Sequence, residues 1–288
     1  MLFSNKRLLV AAIILVVLGI VALVVFQPAP EEPVAPVVVE EAPVVRQEVL
    51  GKSVEGRSIV AYTFGTGSTT LLFVGGIHGG YEWNSVLLAY EFVDHFTANP
   101  QLISDSLAIT VIPSANPDGV FKIIGKEGRF LATEVPDVDQ APGRFNARGV
   151  DLNRNFDCKW QAESTWRGAT VSAGSAPFSE PEAAALRDFA LREKPVAVVF
   201  WHSQANAVYA SECEDGILPE TLEVMNRYAG AAGYPSVDSF DAYPVSGDAE
   251  GWLASIGIPA VTVELKTHES IEWEKNLLGV TALLDLYR

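Results

Sequence analysis

Basic residues are scarce in this chain. Twenty lysines and arginines stand against 36 aspartates and glutamates, a formal net charge of −16 over 288 residues. A surface that tracks nucleic-acid phosphates needs clustered positive charge, so no nucleic-acid partner is expected. The acidity is spread along the chain, because residues 46–288 still carry 18 basic against 32 acidic side chains. Only two cysteines occur, Cys158 and Cys213, so at most one disulfide can form. An oxidising compartment would permit that bridge, and two separate buried thiols are the alternative. Histidines number four, His78, His95, His202 and His268, which confines imidazole chemistry to few positions. No internal repeat is present.

What the chain has in quantity is apolar side chains. At 49% hydrophobic it can bury one substantial core, as a single large domain or two small ones. Residues 8–26 form a 19-residue run without a charge, preceded by Lys6 and Arg7. That length spans a hydrocarbon core of about 30 Å as a helix. A cleaved signal peptide usually has a shorter apolar core and a small-residue cleavage site, which is missing after Phe26. The reading is therefore a cytoplasmic stretch 1–7, a transmembrane anchor 8–26, and the remainder outside the cytoplasm. Residues 27–46, rich in Pro and Glu, read as a semi-extended spacer. It is too short and proline-rich to fold over a site, so no zymogen activation is expected.

From residue 47 onward, strand and helix patterns alternate. Strands are expected at 59–64, 70–75, 107–113, 196–202, 206–210 and 260–265, and helices at 85–97, 180–193, 220–231, 247–255 and 273–287. Ser179 reads as the N-cap of the second helix, with Glu182 three residues on. Several strands are nearly continuous apolar runs, as in strands covered on both faces. The pattern predicts one α/β domain, 47–288, with a largely parallel sheet flanked by helices.

Ligands in such sheets sit beyond the carboxyl ends of the strands. Four strand ends point polar residues at that rim: His78, Asn116, His202 and Glu264. His95 lies within a helical pattern without a nearby co-ligand and reads as a surface or partly packed residue. His78, Glu82 and His202 supply two imidazoles and a carboxylate, a ligand set of catalytic zinc with one position left for water or substrate. Glu264 is then the candidate general base. Taken singly, a Gly-rich turn or a buried histidine is more often structural; their joint place at strand ends favours metal. The stretch 146–156, "NARGVDLNRNF", adds two arginines that suit carboxylate binding, with a surface salt-bridge cluster as the alternative.

These residues resemble the zinc carboxypeptidases of the carboxypeptidase A and B type, with their bacterial peptidoglycan-processing relatives. The likeness runs in order through "SVEGRSI", "GGIHGGYEWN", "IPSANPDG", "RFNARGVDLNRNF", "PFSEPEAAAL", "WHSQ", "YPVSGDAEGW" and "VTVEL". It implies a mixed, mostly parallel central sheet and one zinc ion held by His78, Glu82 and His202. Asp151 corresponds to the carboxylate that orients the first zinc histidine. Asn153 and Arg154 match the pair that grips a substrate's terminal carboxylate. Arg144, or alternatively Arg148, matches the arginine that stabilises the oxyanion. Tyr243 matches the mobile tyrosine over bound substrate, and Glu264 the general base. One departure stands out: the family pattern is H-x-x-E, and here it is H-x-x-x-E, as no other carboxylate lies between Gly75 and Glu91.

Asp248 and Glu250 lie in the segment that lines the leaving-residue pocket in that family. An acidic floor there would favour a substrate with an amino group, such as a C-terminal Lys or Arg or diaminopimelate; a helix cap is the alternative. The resemblance implies a metallocarboxypeptidase acting on peptides or peptidoglycan stem peptides. A zinc-dependent deacylase of N-acyl amino acids and a non-catalytic carboxylate-binding module are the competing readings.

Overall fold

The computed structural model describes residues 45–288 apart from Ala242. The expected anchor 8–26 and nearly all of the spacer lie outside the described residues. Among the described residues no helix is long and apolar enough to cross a membrane. The first strand begins at Arg46, which the sequence reading had assigned to the spacer.

Among the described residues twelve strands and six α-helices follow one another. The strands are β1 (Arg46–Lys52), β2 (Ser58–Phe64), β3 (Thr69–Val74), β4 (Leu107–Ile112), β5 (Glu163–Trp166), β6 (Ala169–Ser172), β7 (Ala197–Ser203), β8 (Ala207–Ala210), β9 (Glu212–Cys213), β10 (Gly216–Ile217), β11 (Ser236–Val237) and β12 (Ala260–Leu265). The helices are α1 (Trp83–Ala98), α2 (Pro117–Ile124), α3 (Pro181–Glu193), α4 (Pro219–Ala232), α5 (Ala249–Ser255) and α6 (Trp273–Leu286). Eight strands make the main sheet in the order β1-β2-β4-β3-β7-β12-β8-β11. Its centre, β4-β3-β7-β12, is parallel, while β1, β2 and β8 join antiparallel and make the sheet mixed.

The apolar runs are continuous because both faces are covered. Along β3 and β7, Phe73, Val199 and Trp201 face one core with Leu88, Phe92 and Phe96 of α1 and the buried faces of α4 and α6. Their neighbours Leu72 and Val198 face a second core with Leu186 and Phe189 of α3 and Trp252 of α5. Each fully buried side chain of this size contributes about 1.5–3 kcal/mol. Phe92 stacks on Trp201 at 5.0 Å between centroids, fixing α1 over the strand that ends in His202.

Parallel register brings the strand ends level. Val74 pairs with both Ile112 and Phe200, and Glu264 pairs with His202. Three of the four expected strand ends supply the cleft. The fourth does not: Asn116 is fully buried, its Oδ1 accepting from Gly119 N as the cap of α2 and its Nδ2 donating to Arg144 O. Pro117 at the first helical position completes that start signal. The α3 cap also differs from expectation. Glu180 occupies the N-cap position, with Pro181 following, while the Ser179 hydroxyl turns to Glu180 and Asn155.

Cys158 and Cys213 form a disulfide across 55 residues. It ties the end of the 152–158 segment, which carries Asn153 and Arg154, to β9. Closing a loop of that length stabilises by about 4 kcal/mol in the chain-entropy account. Replacing both cysteines with serine should lower the melting temperature by roughly 10 °C, since about 1 kcal/mol shifts a domain of this size by 2–4 °C. Calorimetry checks this, and an unchanged midpoint would show that packing alone holds the segment.

Candidate active site

The metal-ligand candidates are placed by a tight turn between β3 and α1. After Val74 the chain reverses through Gly76, at φ +64°, and enters a short 3-10 turn, Gly79–Glu82. Gly79 sits at φ +49°, and a Cβ there would stand 2.5 Å from Gly143 O. Gly80 needs no unusual backbone angle, but a Cβ would meet Gly119 O at 2.7 Å. One glycine thus supplies the bend and both let the turn press against α2. The extra residue between His78 and Glu82 is taken up in this turn.

His78, Glu82 and His202 converge, with one ligand atom from each lying within 4.8 Å of the others. All three are almost fully buried. Glu82 Oε2 lies 3.2 Å from His202 Nδ1, without hydrogen-bond alignment. Both Glu82 Oε2 and His78 Nδ1 are buried with no hydrogen-bond partner. Buried polar atoms are rarely left so. A cation between them would satisfy both, and two imidazoles with one carboxylate are what catalytic zinc takes.

The surrounding charges hold the cluster. Burial, then Arg144 and His202, push the His78 imidazole well below its ordinary value, which keeps it neutral for ligation. Burial would also depress His202, but the Glu82 and Glu250 carboxylates outweigh it and raise that imidazole well above the ordinary value. His202 Nε2 meets Glu250 Oε1 at 3.0 Å, and the same oxygen accepts from Thr262 Oγ1. Nδ1 is thereby turned to the cluster, as outer carboxylates do for metal histidines.

Asp151 stands 3.6 Å from His78 Nδ1, past hydrogen-bond range, and its firmer contact is Arg144 Nε at 2.8 Å. Arg144 is buried, 3.9 Å from Glu82 and over the Trp166 ring at 4.7 Å. Arg148 is not at the cleft: its exposed guanidinium reaches Glu180 Oε2 at 3.3 Å and Ser179 O. Of the two arginines offered by the sequence, only Arg144 lines the cleft.

The cleft itself encloses about 520 Å³ and is lined by Asn153, Arg154, Tyr243, Asp248, Glu250 and Glu264 beside the cluster. Asn153 Oδ1 accepts from Ala249 N, and Arg154 Nη1 donates to Asn153 O. Tyr243 is half-buried against Phe240. Asp248 caps α5 through Gly251 N, and burial together with Glu250 pushes its carboxyl up to about 6. Both acids of the expected floor therefore have structural partners. Glu264 accepts from Ala205 N at 3.1 Å; burial, then Glu82, push it up to about 7 against the pull of His202. His95 lies away from the cleft, packed on Phe92, Phe96 and Trp273.

Sequence reasoning missed Tyr81, Trp166, Arg167, Phe240 and Thr262, all of which line the cleft. Trp166 and Arg167 were within reach. "ESTWRGATVS" has alternation around an Arg-Gly pair, a hairpin signal.

Residues 37–276 match the zinc carboxypeptidase family, and the chain belongs to it. Curated relatives include gamma-D-glutamyl-L-diamino acid endopeptidase 1 of Lysinibacillus sphaericus, 24% identical over 238 residues, covering 75% of this chain and 59% of the relative. Murein peptide amidase A of Escherichia coli K12 is 32% identical over 160 residues, 52% of this chain and 62% of the relative. The chain thus spans less than two thirds of either. Among solved structures, thrombin activatable fibrinolysis inhibitor superposes with a TM-score of 0.68 at 20% identity, covering 84% of this chain and 69% of that one. The murein-tripeptide amidase of Escherichia coli O157 gives 0.59 at 23%, covering 91% and 96%. At these identities the structural likeness speaks for the fold.

The Glu250–His202 contact is open to test by metal affinity. Glu250→Ala should weaken zinc binding by about 10–100-fold in competition with a chromogenic chelator. Unchanged affinity would show that Glu250 does not act through His202.

Proposed function

We propose that the protein hydrolyses peptidoglycan stem peptides at the bond between a γ-linked D-glutamyl residue and a diamino acid. It does so outside the cytoplasm, tethered by residues 8–26. The observation that carries the reading is the buried His78–Glu82–His202 cluster, set in one cleft with Glu264, Arg144, Asn153 and Arg154. The names of two relatives, a γ-D-glutamyl-diamino acid endopeptidase and a murein peptide amidase, support the substrate class. The apolar run behind Lys6 and Arg7, and a disulfide suited to an oxidising compartment, support the location.

His78, Glu82 and His202 would hold a zinc ion, which would supply Lewis acidity toward the scissile carbonyl and lower the pKa of water at the site. Asn153 and Arg154 hold a carboxylate of the diamino acid, Arg154 through a charge-assisted bond. Glu250 and Asp248 line the same cleft and suit the amino group that a diamino acid carries. Glu264 accepts the proton of the attacking water. A carboxyl that titrates near neutrality can take that proton and return it to the leaving amine. Arg144, fixed by Asp151, donates to the oxyanion as charge develops. Tyr243 closes over the bound residue. An intact Glu264 weighs against a non-catalytic binding module.

The test is mass spectrometry of purified muropeptides treated with the full chain, with and without a zinc chelator. Release of the diamino acid, or of a peptide beginning with it, is expected, and the chelator should abolish it. Glu264→Gln should retain stoichiometric zinc by elemental analysis while losing about 10²–10⁴-fold in kcat. Undiminished turnover in that variant would remove Glu264 as the base.

A further inference from the structure

Three arginines line the cleft, and their partners set them apart. Arg144 is neutralised by Asp151 at 2.8 Å. Arg154 bonds a backbone oxygen and has a buried Nε without a partner. Arg167 has no carboxylate within ion-pair distance among the described residues; its guanidinium lies 5.7 Å over the Trp166 ring. In a chain of net charge −16, an unpaired arginine at a cleft is a cation without a counter-ion.

The two guanidiniums without a carboxylate partner among the described residues line the one cleft from different elements. Arg154 lies under the start of α5, where Gly247 packs so closely that a Cβ would stand 2.2 Å from Arg154 O. Arg167 belongs to the side built by Tyr81 and the β5–β6 hairpin, with Trp166 edge-on to Tyr81 at 5.1 Å. Tyr81 immediately precedes Glu82, so the hairpin side of the cleft adjoins the metal cluster. Arg144 shares the Trp166 ring at 4.7 Å. Asp151 and Glu82 both meet Arg144, so Arg167 is the guanidinium at this indole left without a carboxylate among the described residues, and it suits an anion.

The hairpin turn adds a second observation. Arg167 has φ +51° and Gly168 φ +78°, a two-residue turn with both centres left-handed. Such a position favours Asn, Asp or Gly, and an arginine occupies it at a cost in backbone energy. From that turn the exposed arginine lines the cleft beside Trp166.

On the leaving side a carboxylate of the diamino acid occupies Arg154, and Arg167 is free for an anion on the acyl side. In a γ-linked glutamyl residue the peptide bond runs through the side chain, so the α-carboxylate stays free on the acyl side of the scissile bond. We infer that Arg167, on the Trp166 face, forms an acyl-side anion subsite that selects substrates by the free α-carboxylate of a γ-linked glutamyl residue. This rests on the peptidase reading above and names what fixes its acyl-side specificity.

Two substrates test it with the full, zinc-loaded chain: L-alanyl-γ-D-glutamyl-diaminopimelate, and the same peptide with the glutamyl α-carboxyl amidated. The native protein should prefer the free carboxylate by about tenfold or more in kcat/KM, mainly through KM. Arg167→Asn, which suits the turn, should bring the ratio near one, and Arg167→Lys should keep part of it. An unchanged melting temperature in both variants separates specificity from folding. Equal cleavage of the two peptides by the native protein, or an undiminished preference in Arg167→Asn, would overturn the subsite alone. Cleavage of neither would overturn the peptidase reading, and the subsite with it.

Discussion

Glu82 is the constraint on which the rest of the site depends. Its carboxylate is almost wholly removed from water, beside two buried histidines and within reach of Arg144. An ion so placed costs several kcal/mol unless its charge is met at close range. Arg144, at 3.9 Å and already bound to Asp151, meets it in part, and Oε2 is left without a hydrogen bond. A dication supplies the remainder, and the buried imidazole of His78 is held in the neutral form that such an ion requires.

The scaffold serves that convergence. Parallel pairing of β3, β7 and β12 sets three strand ends level, and the stack of Phe92 on Trp201 locks α1 against β7. The turn after β3 then has to bend sharply and lie against α2 and Gly143. Gly79 and Gly80 allow it, where any Cβ would collide with backbone. Charge is layered outward from the cluster: Glu250 behind His202, Asp151 behind Arg144, and Thr262 behind Glu250. The disulfide secures the segment bearing Asn153 and Arg154 at the edge of the same cleft.

Much of this was legible in the sequence, and for physical reasons. Central strands such as "TTLLFV" and "AVVFWHS" are apolar on both faces, so their positions were readable to within a residue or two. The three metal-ligand candidates stood out because four histidines leave few combinations. The edge strand β1 was hidden because its side chains are mostly exposed or half-buried and carry no apolar period. The helix after Asn116 was hidden by its brevity, though "NPDG" is a cap followed by proline. Asn116, Asp248 and Arg148 show the limit of residue chemistry. An amide, an acid and a guanidinium close in sequence to site residues here serve a backbone amide or a surface carboxylate, and only three-dimensional direction decides. Trp166 and Arg167 come from a hairpin far along the chain, and no local spacing ties them to His78.

The central claim is that Glu82, despite the additional residue in H-x-x-x-E, shares one ion with His78 and His202. Crystallography of the zinc-loaded protein, with anomalous data collected on both sides of the zinc absorption edge, tests it most directly. The account predicts a single anomalous peak with His78, Glu82 and His202 as its three protein ligands, at about 2.0–2.2 Å. A peak ligated by other residues, or one that leaves the Glu82 carboxylate turned away, would contradict it.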